Sequence, residues 1–168
     1  MDAQLIVIGG LPGVGKTTLA RDLSKCLELP VFSKDELEAA VSRTGLASNK
    51  QMKGVGYELM DTIAQAHIDS CSSVIFDFIA SENRITECWP SLRSMPVKYI
   101  ECICSDESKH QERILSRVRG IEGWYELSWE DIVQIKSIYS PYTSERLILD
   151  TVEDIDKNIK LALKYIVS

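Results

Sequence analysis

The sequence predicts an α/β fold, a five-stranded parallel sheet with helices on both faces. Three observations predict it. Short apolar runs alternate with stretches of helical period along the 168 residues, with no repeat, linker or low-complexity segment. The first run, Gln4-Leu5-Ile6-Val7-Ile8, is apolar at consecutive positions, as a strand buried on both faces must be. It leads directly into Gly9-Gly10-Leu11-Pro12-Gly13-Val14-Gly15-Lys16-Thr17-Thr18, which holds the full G-x-x-x-x-G-K-[ST] pattern from Gly10 to Thr17. Strand, glycine-rich loop and helix in that order make a phosphate-binding unit.

Four of the nine glycines lie within residues 9–15. Lacking a Cβ, they let the backbone curl into a cup whose N–H groups face an anion. From Lys16 the apolar positions Leu19, Leu23 and Leu27 recur every four residues, so a helix opens where the loop ends and adds its dipole to the site. Leu29 to Phe32 is the second strand. Ser33 and Glu36 form a capping-box pattern that starts the next helix and places Asp35 in its first turn. Residues 44–56 carry three glycines and little apolar periodicity, which predicts a mobile loop. A helix follows from Tyr57 to Ser70, with Leu59, Ile63, Ala66 and Ser70 on one face.

Ser73 to Asp77 is the third strand, apolar until its acidic end, and a helix is expected from Ser81 to Leu92. Val97 to Ile103 is the fourth strand, with Pro96 before it, where a missing N–H does least harm. Ser105-Asp106-Glu107 opens a helix expected to carry Arg113, Arg117 and Arg119 before Gly120 to Tyr125 interrupts it. Ser128 to Asp131 is a further capped start, for a helix reaching Tyr139. Arg146 to Asp150 is the fifth strand. Thr151 is expected to cap a last helix with Val152, Ile155, Ile159, Ala162 and Ile166 on its apolar face.

Composition sets outer limits. Hydrophobic residues make up 45% and charged residues 26%, the balance of an ordinary globular domain, and the length predicts one domain spanning 1–168. No apolar run reaches the ~20 residues of a membrane span, and residues 1–8 show no basic leader, so neither membrane nor secretion is expected. Five cysteines, an odd number without C-x-x-C spacing, fit a reducing cytoplasm, with Cys102 and Cys104 as thiols on one face of a strand. The net charge of −6 argues against a nucleic-acid partner. No Cys/His cluster suggests a structural metal, and Asn49-Lys50 is not followed by the Asp of a guanine-recognition motif.

The chemistry follows from residue types. Residues Gly10, Leu11, Pro12, Gly13, Val14, Gly15, Lys16, Thr17 and Thr18 bind the phosphates of a nucleoside triphosphate, with Lys16 as a mobile positive charge and the Thr17 hydroxyl placed for Mg²⁺. Transfer to an alcohol needs a carboxylate that holds the hydroxyl in line, and Asp35, at the sheet edge where ligands bind, is the candidate base. A helix-terminal acid favoured by the dipole is the other reading of that residue. Asp77, at the acidic end of its strand, holds Mg²⁺ through water, grips the acceptor or caps the following turn. Arg113 and Arg117, four apart, share a helix face, with Arg119 close by, and read from spacing alone they are a solvated basic face. Trp124 and Tyr125 are read as filling the hinge between helices, with stacking on an acceptor or a base as the other reading, and His67 and His110 have no assigned role.

Gly10-Leu11-Pro12-Gly13-Val14-Gly15-Lys16-Thr17-Thr18-Leu19-Ala20-Arg21, a strand ending in Ser33-Lys34-Asp35, then Val74-Ile75-Phe76-Asp77, then Gln111-Glu112-Arg113-Ile114-Leu115-Ser116-Arg117 together resemble the small P-loop kinases. That group includes polynucleotide 5′-hydroxyl kinases, chloramphenicol phosphotransferase, gluconate and shikimate kinases and zeta-toxin-like sugar-nucleotide kinases. The resemblance implies a P-loop NTPase fold with sheet order 2-3-1-4-5, a lid over about 109–127, MgATP as phosphoryl donor and a hydroxyl-bearing small molecule as acceptor. It implies catalytic roles for Lys16, Asp35, Arg113 and Arg117, the two arginines forming the lid over the phosphates with Arg119 able to replace either, and a Mg²⁺ site at Thr17 and Asp77. Glu38 stands where polynucleotide kinases usually have an arginine, which disfavours a nucleic-acid acceptor. The alternatives are such a 5′-hydroxyl kinase and a regulatory ATPase signalling through residues 44–56.

Overall fold

A computed structural model of the chain describes residues 3–46, 52, 54–81, 96–143 and 145–168. Five parallel strands run in the order β2-β3-β1-β4-β5. They are β1 (Leu5–Gly9), β2 (Val31–Ser33), β3 (Val74–Asp77), β4 (Val97–Ile103) and β5 (Leu147–Asp150). The helices among the described residues are α1 (Lys16–Leu27), α2 (Lys34–Arg43), α3 (Val55–Asp69), α4 (Glu107–Ser116), α5 (Trp129–Ile138) and α6 (Ile155–Val167). The expected strand order is therefore the observed one. Of the expected loop over residues 44–56, residues 47–51 and 53 lie outside the described ones; Thr44 to Leu46 form a turn, Met52 is buried, and Val55 and Gly56 already belong to α3, which starts two residues before the expected helix. The helix expected from Ser81 to Leu92 lies outside them but for Ser81.

Side-chain alternation along β1 divides the core in two. Ile6 and Ile8 pack with Leu19 and Leu23 of α1 and with Ala162 and Ile166 of α6 on one face of the sheet. Leu5 and Val7 pack with Met60 and Ala64 of α3 and with Phe76 and Phe78 on the other. Every residue of β1 is buried, the reason its sequence carries no polar alternation. The β1 strand at the centre ends in the loop, and the flanking strands bring their C-terminal ends to the same edge: Ile8 is in register with Asp77, and Asp77 with Ser33. Residues far apart in sequence thus meet at one rim.

Some local expectations fail for definable reasons. The buried face of α3 is Gly56, Met60 and Ala64; of the expected Leu59, Ile63, Ala66 and Ser70, Ile63 packs against the core while Ala66 and Ser70 are exposed. A Cβ at Gly56 would sit 2.5 Å from Glu38 Oε1, so the helix turns its one residue without a side chain toward α2. Ser33 precedes α2, but its side chain makes no cap bond, and Glu36 instead accepts a hydrogen bond from Arg21 at 3.1 Å. Thr151 does not cap α6. Asp154 does, accepting from the Asp156 and Lys157 amides at 2.9 and 3.1 Å. At α5 the expected capping box forms, reciprocally between Ser128 and Asp131.

Candidate functional site

The loop from Gly10 to Gly15 is held in a shape that only glycine tolerates. Gly10, Gly13 and Gly15 have φ of +131°, +83° and +93°. A Cβ on Gly10 would lie 2.2 Å from the Cys102 carbonyl oxygen, so β1 and β4 approach too closely for any side chain there. Gly10→Ala is expected to lose more than ~1 kcal/mol of stability, read as a fall in Tm of about 3 °C or more. A variant melting with its parent would show that the loop shifts freely.

Lys16 opens α1 and is buried, its ammonium donating to the Leu11 carbonyl at 2.8 Å. The side chain is thus folded back over its own loop. The Thr17 hydroxyl donates to Asp77 Oδ2 at 2.5 Å. Burial pushes the Lys16 ammonium below its usual range and the Asp77 carboxyl above its own, and their mutual attraction opposes both shifts. A tetra-anionic ligand in the cup would supply the counter-charge that Lys16 lacks. Cys102 lies in the same field, its thiol pushed up to about 12 by burial, which keeps it from acting as a nucleophile at neutral pH.

Asp35 sits in the first turn of α2, with its side chain 40% exposed, and forms an ion pair with Arg119. Sequence separation hid this contact, because the partners are 84 residues apart. Arg113 and Arg117 do not share a helix face. The α4 helix stops at Ser116, and Arg117 takes an extended backbone with ψ of 143°. Beyond the helix end, Glu126 accepts from the Arg119 amide at 2.8 Å and lies 4.0 Å from Arg117 Nε. Arg113 is clamped by Thr151, donating to its hydroxyl and its carbonyl at 2.8 Å each. Arg117 differs from both. Its Nε and Nη2 are buried and make no hydrogen bond, and burial, with Arg119 alongside, lowers its pKa.

These groups border one cleft of about 790 Å³. Lys16, Thr17 and Asp77 line it with Asp35, Arg113, Arg117 and Arg119, and Trp124 and Tyr125, read from sequence as filling between helices, line it too. A second cluster was not foreseen. Lys34 and Glu38 form an ion pair at 2.5 Å, and the Lys34 ammonium stands 5.0 Å over the Tyr57 ring. All three border the same cleft. Also unforeseen is His110, buried on α4 with Nε2 2.8 Å from the Pro12 carbonyl oxygen. No local signal in the sequence could have joined residues 98 apart.

The residues fit a magnesium-bound triphosphate. No group of three or more His, Cys, Asp or Glu among the described residues could cage a metal alone. A hydroxyl and one carboxylate in contact are the donor set that binds Mg²⁺ jointly with phosphate oxygens. No helix among the described residues is long and apolar enough to cross a membrane.

A family model described as an AAA domain matches residues 5–123. No curated protein is significantly similar in sequence. Among solved structures, a protein provisionally assigned as a kinase, from Chloroflexus aurantiacus, is 25% identical over 98% of this chain and 99% of its own, with a TM-score of 0.70. A sugar kinase from Janibacter sp. HTCC2649 is 16% identical over 98% of this chain and 94% of its own, with a TM-score of 0.73. A gluconokinase from Sinorhizobium meliloti is 15% identical over 98% and 91%, with a TM-score of 0.68. At such identities the last two bear on the fold alone.

Proposed function

This chain belongs to the AAA-domain family, and on that premise we propose that it is a phosphotransferase moving the γ-phosphate of MgATP to a hydroxyl of a small molecule. One observation carries the reading: a phosphate loop, a carboxylate opposite it and arginines on a following segment border a single cleft. A regulatory nucleotide switch needs the loop but has no use for Asp35 and the arginines in the same cleft.

Bound MgATP supplies the phosphoryl group and a metal that neutralises part of its charge. The chain's residues do the rest. Backbone N–H groups of 10–18 hold the phosphates, and Lys16 leaves the Leu11 carbonyl to meet them. Thr17 and Asp77 hold the metal. Asp35 orients the acceptor hydroxyl and takes its proton, which requires Arg119 to release it. Release and the build-up of charge on the transferring group are complementary, since an arginine leaving a carboxylate finds a stronger partner in the phosphate. Arg117, whose Nε and Nη2 make no hydrogen bond and whose carboxylate partner Glu126 is 4.0 Å from Nε, borders the cleft as a second cation for that role. Arg113, tied to Thr151, is read as a support for the lid over 109–127. The acceptor occupies the side of the cleft near Lys34, Glu38 and Tyr57. The same reading places the protein in the cytoplasm, with a small-molecule acceptor and no nucleic-acid partner.

The test is acceptor-dependent turnover. Hydroxyl compounds (antibiotics, sugars, nucleosides) are screened by thermal shift with a non-hydrolysable ATP analogue, because a true ligand stabilises the fold by mass action. A hit should become phosphorylated as ATP is consumed. ATP hydrolysis that no acceptor accelerates would favour the regulatory ATPase. Within this reading Arg117→Ala lowers turnover about a hundredfold with a much smaller loss of ADP affinity, because it acts on charge that develops in transfer. Equal losses in both would make Arg117 a ground-state contact only.

A further inference from the structure

The sharpest turn of the phosphate loop faces α4. Gly13, with φ of +83°, lies so close to that helix that an added Cβ would come within 2.4 Å of Ile114 Cδ1 and 3.3 Å of His110 Cδ2. His110 itself is 5% exposed. Its Nε2 lies 2.8 Å from the carbonyl oxygen of Pro12, and the edge of its ring meets Trp129 of α5 at 5.3 Å and 89°. A carbonyl only accepts, so Nε2 carries the hydrogen and donates it.

The consequence lies in the peptide that joins Pro12 to Gly13. It is trans, and in a trans peptide the C=O and the following N–H point in opposite directions. A Pro12 carbonyl held outward against α4 therefore turns the Gly13 N–H inward, to the concave side of the loop. The reverse orientation would aim a carbonyl oxygen at the phosphates, placing partial negative charge against an anion. Pro12 brings no N–H of its own, so the Gly13 amide is the donor at stake at this turn.

We propose that His110 is a positioning residue for triphosphate binding: by donating from Nε2 to the Pro12 carbonyl it sets the Pro12–Gly13 peptide so that the Gly13 N–H faces the phosphates. Trp129 stops the ring from rotating away, and through it α5 bears on the loop. The imidazole works as a neutral donor. Burial lowers its pKa against the opposing pull of the Pro12 hydrogen bond, and the nearby charges of Lys136, Arg113 and Lys16 act in the same direction as burial. This inference rests on the triphosphate reading of the loop, but on none of the roles given to Asp35 or the lid arginines.

His110→Phe and His110→Gln test it. Phenylalanine keeps the ring against Trp129 and removes the donor, whereas the amide nitrogen of glutamine reproduces the position of Nε2. Calorimetry with a non-hydrolysable MgATP analogue, and separately with inorganic tripolyphosphate and Mg²⁺, should show about tenfold weaker binding for His110→Phe, or about 1.4 kcal/mol. His110→Gln should stay within about threefold of the parent. Both probes should weaken together, since only the phosphates are affected. Parental affinity in His110→Phe, or an equal loss in His110→Gln, overturns the proposal and leaves His110 a packing residue. A parent that binds neither probe overturns the triphosphate reading itself, and this inference with it. Should His110→Phe not fold, ¹⁵N spectra of the parental imidazole decide: hydrogen on Nε2 is expected, and the Nδ1–H form overturns it.

Discussion

Lys16→Ala is expected to lower phosphoryl transfer by about a thousandfold while the protein keeps its fold. The lysine donates to the Leu11 carbonyl, and that bond is the contact the variant loses from the loop. Its burial is a cost to the folded protein, since desolvation pushes the ammonium toward neutrality. Removing it should therefore change Tm little, and its sign separates two accounts. If Lys16 is stored strain held for the phosphates, Lys16→Ala melts at or above the parent and binds triphosphate weakly. If the Leu11 bond organises the loop, the variant melts lower and the loop loses its shape. Thermal melts beside calorimetry with a non-hydrolysable MgATP analogue distinguish these. Unchanged affinity and unchanged turnover together would remove the nucleotide site from 10–18.

How much of this was legible in the sequence depends on whether the determinant was local. The loop was, because Gly10, Gly13 and Gly15 answer a local backbone demand, with φ values of +83° to +131° at those positions. Burial of β1 on both faces was legible in an unbroken apolar run. Thr17 beside Asp77 followed from strand order, which brings the end of β3 next to the start of α1. What escaped depended on side chains choosing distant partners. Ser33 and Glu36 have capping-box spacing, yet Glu36 turns to Arg21. Helical spacing put Arg113 and Arg117 on one face, yet α4 ends between them, and Thr151 and Glu126 take one each. On α3 the period was right and the phase was wrong, because contact with Lys34 and Glu38 selects the face that contains Gly56. His110 went unread because its partner is a backbone carbonyl, which no residue type announces.

The variant Asp35→Asn should divide the proposed site into its two halves. Asparagine is nearly isosteric and still accepts a hydrogen bond, so α2 and the contact with Arg119 persist without the charge. It takes no proton at neutral pH, so acceptor phosphorylation should fall by about a hundredfold or more if Asp35 is the base. Affinity for MgATP should hold or rise. In the parent Arg119 is spent on Asp35, and weakening that pair frees a cation for the phosphates. A role confined to the helix terminus predicts the opposite: stability falls by about 0.5 kcal/mol as the favourable dipole interaction goes, and turnover is normal. Arg119→Ala supplies the second axis. It keeps the Asp35 carboxylate in place without its partner, so loss of transfer there reports the arginine's work on the phosphate. Combined with Asp35→Asn it should cost less than the two single losses added, because residues in one ion pair are coupled. Full additivity would mean that the pair is incidental to transfer. An Asp35→Asn enzyme that phosphorylates its acceptor at the parental rate would move the base elsewhere, and Asp77, at the end of the neighbouring strand, is the next carboxylate to replace.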